Sequence, residues 1–202
     1  MEKELKIILK EDLEVLSKQA YESAKNKGFY LESVNIAFYL MFIIVEMSEV
    51  LQAARKDRHG SIEDYESEIE MGRDMPTAYK NALEGTVESE FADIAIRILS
   101  LLGWIMEGDK IELSEDEDLI GEYKLARYIF GFDLAGDLYR IIEKMGVLDL
   151  DSSPSWYLAK YLQELLMDIC AIAHNDRIDL KEQIKLKMKY NETRPYLHGY
   201  KY

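Results

Sequence analysis

The chain has 202 residues, 48% hydrophobic and 32% charged, the composition of a soluble globular protein long enough to bury a core. Its net charge of −14 excludes nucleic acid as a bulk partner, because a phosphate backbone needs a basic surface. One cysteine, Cys170, excludes an intrachain disulfide and fits a reducing cytosol; with no signal-peptide pattern and no apolar run of membrane length, a cytoplasmic protein is expected.

The first predicted helix covers about 3–25, with Leu5, Ile8, Leu9, Leu16 and Ala20 on its apolar side, and Asn26-Lys27-Gly28 closes it. A central helix follows over about 33–56. Its residues Ile36 to Val45 are all apolar, which reads as a helix hydrophobic all round and therefore buried. Glu46 and Glu49 come next, spaced i, i+3, so both leave the same face. Neighbouring carboxylates in apolar surroundings repel each other and lose hydration, so either a cation lies between them or the helix emerges into solvent there.

Ser61-x-x-Asp64 opens a short acidic helix to about 71, and residues 72–76 form a loop. A second long apolar helix covers about 77–106, with Gly85 as a candidate interruption, and it carries Glu90 and Asp93, again at i, i+3. Packed antiparallel, the two helices could bring four carboxylates to one point, an oxygen-rich set suited to Mg²⁺ or Mn²⁺. Arg97, one turn beyond Asp93, offers a plainer alternative, an intrahelical ion pair.

Glu107 to Asp118 holds seven acids and one lysine without the spacing of an EF-hand, and reads as a solvated connection in which Ser114-x-x-Glu117 caps the next helix. Helices over about 117–130 and 134–145 show only packing positions. Ser153-Pro154 starts a helix to about 173, and Asp179-x-x-Glu182 caps the last one, to about 190. No strand alternation or hairpin signal occurs, so the expected fold is an all-α helical bundle in one domain, with its core at about 1–106 and 154–190.

Residues 181–202 contain six Lys or Arg and two Glu, a local charge of +4 against −18 for the rest. This basic tail is a candidate anion-binding element. Pro195 and Gly199 keep its end from continuing as a helix, and it is expected to fold back over the bundle.

With ExxE on one helix and ExxD on the next, the chain resembles the MazG-like, all-α nucleoside triphosphate pyrophosphohydrolases. The same likeness extends to Lys27-Gly28-Phe29-Tyr30, to residues 54–59 (ARKDRH), to residues 90–99 (EFADIAIRIL) and to residues 187–199 (KMKYNETRPYLHG). It covers roughly 20–105 and 165–202, and Tyr200 falls where relatives commonly carry Lys. The resemblance implies a Mg²⁺ (or Mn²⁺) site of Glu46, Glu49, Glu90 and Asp93. It further implies attack of water on the α-phosphate of a nucleoside triphosphate, with Lys187, Lys189, Asn191 and Arg194 on the phosphates and nucleotide. A homodimer or higher homo-oligomer is expected from the excess of apolar surface.

Arg55, Lys56 and Arg58 read first as helix C-terminal cations, and Tyr190, Tyr196 and His198 as packing residues ahead of base-stacking ones. His59 reads as a helix-end residue, His174 as structural. A di-iron bundle needs Glu-x-x-His, and the residues three places before the histidines are Lys56, Ala171 and Pro195. The remaining alternative is an inactive metal-binding or assembly module of the same fold.

Overall fold

The computed structural model describes residues 7–30 and 35–196, and among them every regular element is an α-helix. In chain order these are α1 (Lys10–Asn26), α2 (Ile36–Arg55), α3 (Ile62–Glu70), α4 (Met75–Ala82) and α5 (Val87–Gly108). After them come α6 (Asp116–Ile129), α7 (Leu134–Gly146), α8 (Ser155–Asn175) and α9 (Leu180–Thr193). The expected all-α bundle is what the chain forms.

α5 is the axis. Its sequence is apolar around most of its circumference, and α1, α2, α8 and α9 all pack against it. α8 is buried in the same way, and α6 lies along it. α1 and α5 approach closely at Gly103, where an added Cβ would sit 2.2 Å from the carbonyl oxygen of Ser17. A smaller apolar cluster of Tyr65, Ala78, Tyr79, Leu83 and Tyr190 joins α3 and α4 to α9, apart from the main core.

The predicted helix over 77–106 is two helices. Gly85 adopts φ +72°, open to glycine and costly for other residues, and Thr86 then caps α5 by accepting from the Ser89 amide at 3.3 Å. This break sets Glu90 in the first turn of α5, where the helix dipole favours negative charge.

Other boundaries shift. Residues 7–9 are not helical, so α1 begins at Lys10 and not near residue 3. Ser114 does not cap α6: its amide donates to Gln163 on α8, and Glu115 takes the N-cap position. At α8 the N-cap position falls on Pro154, one residue later than expected. α9 runs on to Thr193, three residues past its predicted end.

The largest departure concerns α2. It is not buried on all sides: Leu40, Ile43, Met47, Val50 and Ala53 face the core, while Phe38, Met41 and Val45 are 44%, 56% and 44% exposed. Apolar composition without periodicity cannot show which face a chain's own helices will cover. Length and composition alone would also let α2 cross a membrane, although one of its faces packs along α5.

Replacing Gly103 with Ala must push α1 away from α5, because the obstructing atoms include backbone. Gly103→Ala is expected to cost about 1–3 kcal/mol, read as a lower urea midpoint with an unchanged slope.

Candidate metal centre and its cleft

α2 and α5 run side by side with their acid pairs facing one another. Carboxylate oxygens of Glu46, Glu90 and Asp93 lie within 4.8 Å of one another. Metal–oxygen bonds are about 2.0–2.6 Å, so such oxygens can share one hard cation. Glu49, one turn beyond Glu46, is exposed on the rim of the same cleft. The four predicted acids therefore come together, three packed close and one at the opening.

Glu46 and Glu90 are each only 7% exposed. Burial raises both carboxyls well above the usual carboxylate range, and the charge of Asp93 adds to it in each case. Arg97 opposes the rise at Glu46, and Lys187 opposes it at Glu90.

Lys187 on α9 is 4% exposed. Its Nζ lies 2.6 Å from Asp93 Oδ2 and donates to Ser89 Oγ at 3.0 Å, with the Tyr79 ring 5.7 Å away. Ser89 is in turn bonded to the Tyr79 hydroxyl at 3.0 Å. Burial by itself would lower this amine, but Asp93, Tyr79 and Glu90 hold it above its usual value. The lysine stays charged.

Arg97 does not pair with Asp93 on its own helix. Its Nε donates across to Glu46 Oε1 at 3.0 Å, and its guanidinium lies 5.0 Å from the Phe42 ring centre and 5.6 Å from that of Phe29. The cross-helix carboxylate is buried and lacks another cation, while Asp93 already has Lys187. That difference sets the pairing.

The acids open onto a cleft of about 630 Å³. One wall is aromatic: Tyr30 and Tyr39 stack at 4.6 Å and 8°, with Phe29 and Phe42 beside them. Ser100 Oγ donates to the Tyr30 hydroxyl at 3.0 Å, and the Tyr39 hydroxyl donates to the Phe29 carbonyl. Asn191 and Arg194 line the opposite side, where Lys27 anchors the chain by donating to the carbonyls of Glu192, at 2.9 Å, and Arg194.

Of the predicted phosphate contacts, Lys187, Asn191 and Arg194 line this cleft and Lys189 does not. Lys189 is exposed in an adjoining groove between α1 and α9. Because α9 stays helical to Thr193, residues 187 and 191 share a face while 189 is turned away by about 200°. Sequence reasoning missed the aromatic wall and the role of Arg97. The signals for the wall were Phe29-Tyr30 and the spacing of residues 39, 42, 46 and 49 along one helix.

The remaining described candidates do not line the cleft. Arg55, Lys56 and Arg58 are exposed at or after the end of α2 and do not line the cleft. His59 Nδ1 lies 3.0 Å from Glu88 Oε1, and His174 Nδ1 lies 2.8 Å from the Tyr123 hydroxyl. Tyr190 stacks on Tyr79 at 4.5 Å and donates to Glu84 at 2.7 Å, while the Tyr196 ring packs over Gly28. His198 and Tyr200 lie outside the described residues. Burial pushes the Cys170 thiol up to about 12, so it is inert.

No protein-family model, curated protein or solved structure matches the chain.

A carboxyl whose pKa is raised by folding stabilises the fold below its unfolded value and loses that contribution as pH rises through the folded value. For Glu46 and Glu90 that loss spans from about 4.3 in the unfolded chain to about 7 and about 8 in the folded one. Without divalent cations, Glu90→Gln should therefore melt higher than the natural protein at pH 8 and no higher at pH 4. Added Mg²⁺ should narrow the gap at pH 8 by stabilising the natural protein more, which paired thermal melts would read.

Proposed function

We propose that this chain hydrolyses a nucleoside triphosphate to the monophosphate and pyrophosphate with Mg²⁺, Mn²⁺ also suiting the oxygen donors. The observation that carries the reading is the set of three carboxylates from two helices within 4.8 Å, beside a buried lysine and at the mouth of a cleft with an aromatic wall. The resemblance to the MazG-like pyrophosphohydrolases supplies the reaction.

Glu46, Glu90 and Asp93 would hold the cation, with Glu49 completing the set from the rim. A bound Mg²⁺ supplies charge neutralisation on the phosphates and lowers the pKa of bound water. Glu49, the solvent-facing carboxylate, accepts the proton as water oxygen bonds to the α-phosphorus and the bond to the bridging oxygen breaks. Lys187 and Arg194 balance the charge of the departing pyrophosphate, and Asn191 offers a neutral donor. The base lies against Phe29, Tyr30, Tyr39 and Phe42, since an aromatic face stacks on any base. The cytosol, where nucleoside triphosphates and Mg²⁺ are at hand, is the proposed setting.

One specific observation favours a second reading. Asp93 and Glu46 already have cationic partners, so the acids could serve as an ion-paired core in an assembly module without turnover.

Pyrophosphate release from a panel of nucleoside triphosphates separates the two. The natural protein with Mg²⁺ should turn over at least one of them, and Asp93→Asn should lower kcat at least 100-fold with its helical content retained. No release from any member of the panel would leave the assembly module as the reading.

The stripe of Phe38, Met41 and Val45 on α2 supports a two-fold dimer as part of this proposal, because a contiguous exposed apolar face on a soluble chain favours a partner. Sedimentation at micromolar concentration should show a species near twice 23.5 kDa. Met41→Glu should return it to the monomer.

A further inference from the structure

Arg97 is bound in an unequal way. One nitrogen, Nε, is committed to Glu46, and no described residue accepts from either terminal nitrogen. The side chain lines the cleft and is 27% exposed. Two rings, Phe42 and Phe29, hold the guanidinium near its place without using any of its donors. Taking Glu46 away from Arg97 would thus leave the cation in the cleft with its whole hydrogen-bonding fork open, the geometry suited to phosphate or carboxylate oxygens.

Charge balance points the same way. Among the described residues, five carboxylates and four cations line the cleft, which leaves one net negative charge with all of them ionised. In that state an anion is repelled. A divalent cation on the acids turns the balance to one positive charge, and one of those acids is Glu46, the carboxylate that accepts from Arg97.

We infer that Arg97 is a transferable counter-ion, neutralising Glu46 until a divalent cation takes that carboxylate and then passing to the anionic oxygens of the ligand, so that metal and anion bind cooperatively. The inference rests on the metal centre proposed above and needs no particular reaction. Coupling between two ligands is reciprocal, so the anion must tighten the metal by the factor by which the metal tightens the anion. Arg97 acts here as a binding and positioning residue. Lys187 cannot substitute, because Ser89 and Tyr79 enclose its amine as well as Asp93.

The test is calorimetric titration of Mg²⁺ into the full chain and into Arg97→Gln, with and without inorganic phosphate in matched solutions, so that chelation in solution cancels between the two proteins. In the natural protein phosphate should tighten Mg²⁺ about 10-fold, within the usual range of such couplings. Arg97→Gln should bind Mg²⁺ alone at least as tightly as the natural protein, since its competitor for Glu46 is gone, and should show less than a third of the coupling. A merely structural arginine would give the reverse, weaker Mg²⁺ binding with the coupling intact, and that result overturns the assignment. Absence of Mg²⁺ binding by the natural protein overturns both this inference and the metal centre beneath it, whereas Mg²⁺ binding without pyrophosphate release leaves this inference standing and removes only the hydrolase. Should Arg97→Gln fail to fold, the natural protein carries the test through its arginine nitrogen resonances. The Nε–H signal should shift on adding Mg²⁺, and the terminal-nitrogen signals only when phosphate follows. Terminal-nitrogen shifts that are the same with Mg²⁺ alone would overturn it.

Discussion

The fold and the site both depend on burying carboxylates where two apolar helices meet. Glu46, Glu90 and Asp93 would each be costly in the interior without a counter-charge, and the chain answers with one cation from α9 and one from α5. Lys187 reaches Asp93 only because α9 lies along α5, and Arg97 reaches Glu46 only because α2 does. The ion pairs therefore report on the packing of three helices at once. Removing either cation would leave a buried acid without compensation, a loss larger than the net worth of the pair.

Around that arrangement the local chemistry is consistent. The break at Gly85 lets α5 begin at Val87, which gives Glu90 a helix N-terminus and aligns Ser89 with Lys187. The absence of a Cβ at Gly103 lets α1 settle onto α5, bringing Tyr21 against Tyr30 at 5.1 Å and so closing the aromatic end of the cleft. The acidic and aromatic ends are thus fixed by contacts on opposite ends of one helix.

Much of this was legible in the residues. The doubled i, i+3 acids on apolar helices announced a carboxylate cluster, the tail's charge singled out Lys187 and Arg194, and the missing strand signals gave the all-α class. The rest depended on facts that no local pattern carries. Whether Arg97 pairs along its helix or across to another is decided by which acid lacks a cation, a tertiary question. Lys189 was grouped with Lys187 by charge and by the family resemblance, although two positions apart on one helix their side chains leave different faces. α2 looked buried because a run of ten apolar residues has no polar face to mark its outside.

The small cluster of Tyr65, Ala78, Tyr79, Leu83 and Tyr190 gives the molecule a second level of cooperativity. It is a satellite of the main core, built from two short helices, and such units open at lower free energy than the whole fold. Yet it covers Lys187 through Tyr79, whose hydroxyl bonds Ser89 of α5, and grips α9 through the Tyr79–Tyr190 stack. Its amides should exchange hydrogen faster than those of α5 and α8, and each opening would uncover the lysine, still bonded to Asp93 and Ser89 of α5, while the bundle stays intact. The covering of one cleft cation is therefore entrusted to a part of the protein that can loosen without the main core.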